Sequence, residues 1–92
     1  DADRSIFSFI RRGTTGKQNL LFICNFTPVE RPDYRVGVPK RGNYTLLLDE
    51  THGAYDGKEK GPVYKSTKGE CDGQPYSFAY RLPAYGTAIF RF

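Results

Sequence analysis

The sequence has no Met, no Trp, a single His and two Cys in 92 residues. A chain without Met is not a whole translation product starting at Asp1, so residues 1–92 are expected to be a processed form or, in preference, one domain excised from a longer polypeptide. Nothing resembles a secretion signal, and no apolar run approaches the roughly 20 residues that cross a bilayer as a helix. His52, the lone histidine, sits in Gly-rich sequence without a G-x-S-x-G context, so no His-based triad is legible. Cys24 and Cys71 are not a ligand-spaced pair. Asp49-Glu50-Thr51-His52 is no better as a metal site, because adjacent carboxylates leaving a strand point to opposite sides. Walker and G-x-G-x-x-G loops are missing. The acids lie mainly in turns and in one long loop, and no spacing selects a pair that would face each other at about 5–10 Å for glycoside chemistry. The residues thus point to no catalytic group, no metal and no cofactor.

Charge is equally uninformative about a polyanion partner. The net charge is +4, with Arg11, Arg12 and Lys17 and then Lys58, Lys60 and Lys65 in turn-like or loop-like sequence. A nucleic-acid footprint clusters its cations on one face, so no nucleic acid and no membrane partner is expected. Two sequons, at Asn25 and Asn43, hint at secretion. Asn25 belongs to an apolar run where a glycan does not fit, and the expectation is reduced thiols, no disulfide and a cytoplasmic protein.

What the chain does have is aromatic strand sequence, with seven Phe and seven Tyr. Leu20 to Phe26 is apolar except for Asn25 and reads as a central strand buried on both faces. Pro28 ends it, Glu30-Arg31-Pro32-Asp33 is turn chemistry, and Tyr34, Val36 and Val38 alternate in a more exposed neighbouring strand. Before it, Ile6 to Arg11 is a first strand, joined to the central one by a polar two-glycine link suited to a hairpin. Tyr44 to Leu48 is another strand. From Thr51 to Pro75 glycines and charges interrupt everything but a short strand near Val63-Tyr64-Lys65-Ser66. Tyr76, Phe78, Tyr80 and Leu82 alternate cleanly, and Thr87 to Phe92 closes the chain as a strand. No helical periodicity competes. The expected fold is all-β, an antiparallel sandwich or open barrel, with one Greek-key-like β-sandwich of six to eight strands as the preferred form.

Aromatic rings can stack on sugars or bases. Tyr34, Tyr44, Tyr76 and Tyr80 occupy inward strand positions, which leaves Tyr55, Tyr64 and Tyr85, in loops or near turns, as the candidate platforms.

Cys24-Asn25-Phe26-Thr27-Pro28-Val29 followed by Asp33-Tyr34-Arg35-Val36-Gly37-Val38-Pro39 resembles the carboxy-terminal domain of bacterial 1,4-alpha-glucan (glycogen) branching enzymes, in the alpha-amylase superfamily. The opening Ile6 to Arg12, and the closing Gln74-Pro75-Tyr76-Ser77, Leu82 to Thr87 and Ala88-Ile89-Phe90, are similar to the same family, so nearly the whole chain is covered in order. The sequence departs from it at Leu48-Asp49-Glu50-Thr51-His52 and in the shortened Tyr55-Asp56-Gly57 segment.

The resemblance implies a parent that cuts an α-1,4 glucan and transfers the released chain to a 6-hydroxyl, making an α-1,6 branch. It does so by a retaining double displacement with an Asp nucleophile, a Glu acid/base and a second Asp, all in an upstream β/α barrel. None of the three maps onto residues 1–92. This domain is then a non-catalytic support packed on that barrel, with Phe7, Phe9, Leu21 and Ile23 as candidate packing residues. The partners implied are the barrel of the same polypeptide and, through the parent enzyme, α-glucan. Two competing readings remain: an independent glucan-binding module using Tyr55, Tyr64 or Tyr85, and a secreted Ig-like domain that requires a Cys24–Cys71 bridge.

Overall fold

A computed structural model describes residues 5–13, 19–49, 53–54 and 61–92. The described residues form strands β1 (Ile6–Arg12), β2 (Asn19–Asn25), β3 (Arg31–Val38), β4 (Asn43–Asp49), β5 (Gly53–Ala54), β6 (Val63–Lys65), β7 (Thr67–Cys71), β8 (Gln74–Leu82) and β9 (Thr87–Arg91), and no helix. One sheet runs β1-β2-β9-β4, with β5 and β6 sharing the free edge of β4; the second runs β3-β8-β7. Every pairing is antiparallel, as expected for this composition.

The inner faces of the two sheets meet in an aromatic and aliphatic core. Ile6, Leu21, Ile23, Leu46 and Phe90 come from the larger sheet, and Val36, Val38, Phe78, Tyr80 and Leu82 from the smaller. With no Met or Trp to fill gaps, rings do the filling. Phe90 meets Phe78 and Tyr80 edge-on at 5.2 and 5.1 Å, and Tyr44 stacks on Phe78 at 5.3 Å. Each such pair adds roughly 0.5–1.5 kcal/mol beyond the area it buries. The tyrosines assigned inward from their alternation follow suit: Tyr44 and Tyr80 are buried, and Tyr34 and Tyr76 pack against the core from its margin.

Three expectations need correction. The Tyr34–Val38 strand is not a neighbour of β2, whose partners are β1 and β9; β3 lies in the opposite sheet against β8. The chain from Phe26 to Glu30 crosses between sheets instead of folding back as a hairpin, because its start is tied to the β8–β9 turn. Second, β2 is not buried on both faces. Its odd positions are buried, its even ones are half-buried, and Phe26 is exposed. Third, the stretch 51–75 holds more strand than expected. Besides β6 it supplies β5 and β7, and β7 closes a hairpin onto β8 through Asp72-Gly73, both at positive φ (49° and 78°). That pair of left-handed residues is the two-residue turn that matches strand twist.

Two buried polar residues hold the turns. Ser66 Oγ accepts from Gly42 N–H and donates to Lys40 O, each at 2.9 Å, and the Tyr44 hydroxyl donates to the same carbonyl at 2.8 Å. Asn25 anchors the other end of the sandwich.

Candidate functional site

The outer face of the larger sheet is the candidate site. In antiparallel pairs directly opposed residues share a face. Phe9 opposes Phe22, Phe22 opposes Ile89, and Ile89 opposes Leu48, which gives an apolar row across β1, β2, β9 and β4. Phe9 and Phe22 stack with centroids 4.7 Å apart and planes 2° from parallel. The next row begins with Phe7 opposite Cys24, and Phe7 touches the Phe26 ring at 5.8 Å. Phe7, Phe9 and Phe26 are 47%, 53% and 61% exposed. A cluster of solvent-facing Phe on one sheet face is the mark of an interaction surface, whereas single exposed apolar residues are ordinary. On the other flank, Arg11 opposes Leu20 and Leu20 opposes Arg91, so two guanidinium side chains border the apolar row.

The four residues singled out for barrel packing divide between faces. Phe7 and Phe9 lie on this outer surface. Leu21 and Ile23, 1% and 0% exposed, are spent in the inter-sheet core and have nothing left to present to a neighbour. Phe22 and Ile89, which share this face with Phe9, were not singled out from the sequence. The uniformly apolar β2 carries no alternation to sort its faces, and its polar ends mislead: Asn19 and Asn25 share the inward parity of Leu21 and Ile23.

The tyrosine candidates also separate. Tyr55 lies outside the described residues. Tyr64 is on β6, where its ring packs within 5.4–5.7 Å of Tyr80, Phe78 and Phe90, so it is partly buried against the core and does not stand free in a loop. Tyr85 is 66% exposed and held at φ 51°, unusual for a bulky residue, in the turn between β8 and β9.

Tyr85 belongs to a knot that joins the two most distinctive sequence segments. Asn25 Nδ2 donates to Val29 O and to Pro83 O, both at 3.0 Å, while Asn25 Oδ1 accepts from Thr27 N–H at 2.9 Å and from Thr27 Oγ at 2.6 Å. Two backbone bonds, Asn25 N–H to Gly86 O and Tyr85 N–H to Thr27 O, complete it. The Asn25 amide is thus fully used and 1% exposed, which leaves no room for a glycan.

Of two shallow grooves, one of about 590 Å3 runs along β1 past Ser8, Ile10, Gly37 and Gln74 and includes Phe7 and Phe9 of the outer face. The other, about 410 Å3, is lined by Arg31, Tyr34, Arg35, Cys71 and Asp72. Its cations are engaged: Arg35 donates to Ser77 Oγ at 2.6 Å, and the Arg31 guanidinium carbon sits 6.0 Å from the Tyr34 ring centre. Burial, aided by the Asp72 charge, pushes the Cys71 thiol up, and it donates to Arg35 O at 3.3 Å. A thiol kept protonated in this way is not an activated nucleophile. Cys24 and Cys71 are free and on different sheets. Among the described residues no three His, Cys or carboxylate side chains gather for a metal, and no helix is long and apolar enough to cross a membrane. The chemistry available is that of an apolar surface with a basic margin.

The sequence profile described as alpha amylase, C-terminal all-beta domain, matches residues 1–92. The chain is 44% identical over 94 residues to the 1,4-alpha-glucan branching enzyme GlgB of Butyrivibrio fibrisolvens, covering 100% of this chain and 15% of that protein. It is 40% identical over 93 residues to its namesake from Gloeobacter violaceus (99% of this chain, 13% of the relative). To that of Lactiplantibacillus plantarum it is 39% identical over 93 residues (99% and 15%). The chain therefore spans about an eighth to a seventh of the length of these curated relatives.

Proposed function

Because the chain belongs to the alpha amylase C-terminal all-beta domain family, we propose that it is the non-catalytic C-terminal β-domain of a 1,4-alpha-glucan branching enzyme, docked on the catalytic barrel of its own polypeptide. The parent moves an α-1,4-glucan segment to a 6-hydroxyl, using carboxylates upstream of this domain. The observation that carries the docking is the outer sheet face, where Phe7 and Phe9 stay about half exposed beside the Phe9–Phe22 stack. The relatives' remaining length leaves room for such a barrel. Inter-domain contacts within one chain bury about 600–1,500 Å2, a scale a four-residue apolar row and its Phe7–Phe26 neighbours can supply. Free thiols such as Cys24 and Cys71 suit the reducing cytoplasm, where we place the enzyme.

The test compares the full-length enzyme with its Phe7→Ser/Phe9→Ser variant, following branching by the fall in iodine absorbance of amylose. Lower activity and a lower melting temperature are expected, with no branching by residues 1–92 alone. Branching by the isolated domain would end the reading. A second reading, a glucan-binding module, keeps one described platform, the exposed Tyr85. Maltoheptaose titrated to millimolar concentration against an isotope-labelled domain decides it: absence of shifts around Tyr85 removes that reading.

A further inference from the structure

The docking reading leaves two cations to be explained. Arg11 and Arg91 point to the same face as the Phe9–Phe22 stack, one residue pair further along the strands. That is about 7 Å from the stack along the strands, and the two arginines are about 10 Å apart across β2. Even the smaller inter-domain contacts, about 300 Å2 on each side, form a patch about 10 Å in radius. A surface centred on the stack therefore meets both guanidinium groups. Arg11 and Arg91 are exposed, and neither has a carboxylate partner among the described residues. Covering an arginine without a counter-charge is costly, while an interface edge closed by bidentate Arg–carboxylate pairs gains both energy and register.

We infer that the surface covering this sheet carries carboxylates opposite Arg11 and Arg91, so that the docking is an apolar contact locked at one margin by ion pairs within the same polypeptide. This rests on the docking reading, and the two fail separately. The full-length enzyme is digested by a dilute protease, and the rate at which this domain is released is followed from about 0.05 to 1 M NaCl, a range over which exposed charge pairs are progressively screened. Wild type is expected to release faster as salt rises. Arg11→Glu/Arg91→Glu should release at least ten-fold faster at low salt and lose that salt dependence, while Arg11→Lys/Arg91→Lys stays within a few-fold of wild type. Equal rates and equal salt dependence in the Glu variant and wild type overturn the acidic counter-surface, even if Phe7→Ser/Phe9→Ser hastens release. If the Phe variant is also silent, the docking reading falls with it.

Discussion

The side-chain amide of Asn25 donates to the carbonyl oxygen of Pro83, 3.0 Å away and 58 positions later in the chain. Through this bond the crossing from β2 to β3 and the turn from β8 to β9 become one unit. Removing the amide takes one donor each from the carbonyls of Val29 and Pro83, which keep Thr27 Oγ and Gly86 N–H, and leaves the part-buried N–H of Thr27 without its acceptor, where an unmet group costs about 1–3 kcal/mol. Asn25→Ala is expected to destabilise the domain by about 2–4 kcal/mol in urea denaturation. A loss below the error of the measurement would show that the knot is dispensable.

Gly37 faces the backbone of β7. A Cβ there would lie 2.2 Å from the carbonyl oxygen of Cys71 and 3.2 Å from the Cβ of Gln74. The first obstacle is backbone, so it cannot swing aside. Gly37→Ala should cost at least the roughly 1–3 kcal/mol of an overpacked core site. Gly69, whose nearest neighbour is a serine hydroxyl 3.2 Å away, should tolerate alanine better. Comparing the two midpoints checks the ranking.

The two faces of the β1–β2 hairpin should respond unequally to truncation. Leu21→Ala opens the core and is expected to cost about 2–5 kcal/mol. Phe9→Ala removes a ring already 53% exposed and should cost the isolated domain much less. If the proposed docking covers Phe9 in the full-length protein, the gap should narrow there. Thermal melts of both variants in both contexts measure this.

Alkaline pH should weaken the fold. Burial raises the Tyr44 hydroxyl above its usual range, against the opposing effect of its bond to Lys40 O, and burial with Asp72 raises the Cys71 thiol. A raised acid holds its proton more tightly when folded. Its stabilisation is complete below the unfolded value and is lost as pH climbs toward the folded one. Stability should therefore decline from about pH 8.5 for the thiol and pH 10 for the phenol. Denaturant midpoints between pH 7 and 10.5 test it, and Cys71→Ala should remove the earlier part of the decline.

The strands with one-sided burial were legible in the sequence, since β8 repeats an inward Tyr76, Phe78, Tyr80, Leu82 and period two leaves no choice of face. The β1–β2 hairpin was legible too, from a polar glycine link between two apolar runs. β7 was not, because Thr67-Lys68-Gly69-Glu70-Cys71 has almost no apolar pattern; the readable sign was Asp72-Gly73, a dipeptide that favours the turn it makes. Nor could β2 reveal which of its faces is core, and two of the four candidate packing residues, Leu21 and Ile23, lie on the core side. Tyr64 looked free in a loop, but pairing of β6 with the outer edge of β4 carries its ring inward. These failures share one cause, contacts set by strands distant in sequence.

The hairpin register has a mechanical consequence. β1 begins level with Asn25 and β9 ends level with Leu20, just before Phe92 and Asn19 exchange backbone hydrogen bonds of 3.0 and 3.1 Å. β1 and β9 therefore run the same way on either side of β2, and the chain arrives at one end of that trio and departs at the other. Tension between the two ends loads both ladders in shear, with all rungs strained together, whereas a hairpin pulled open at its mouth parts one rung at a time.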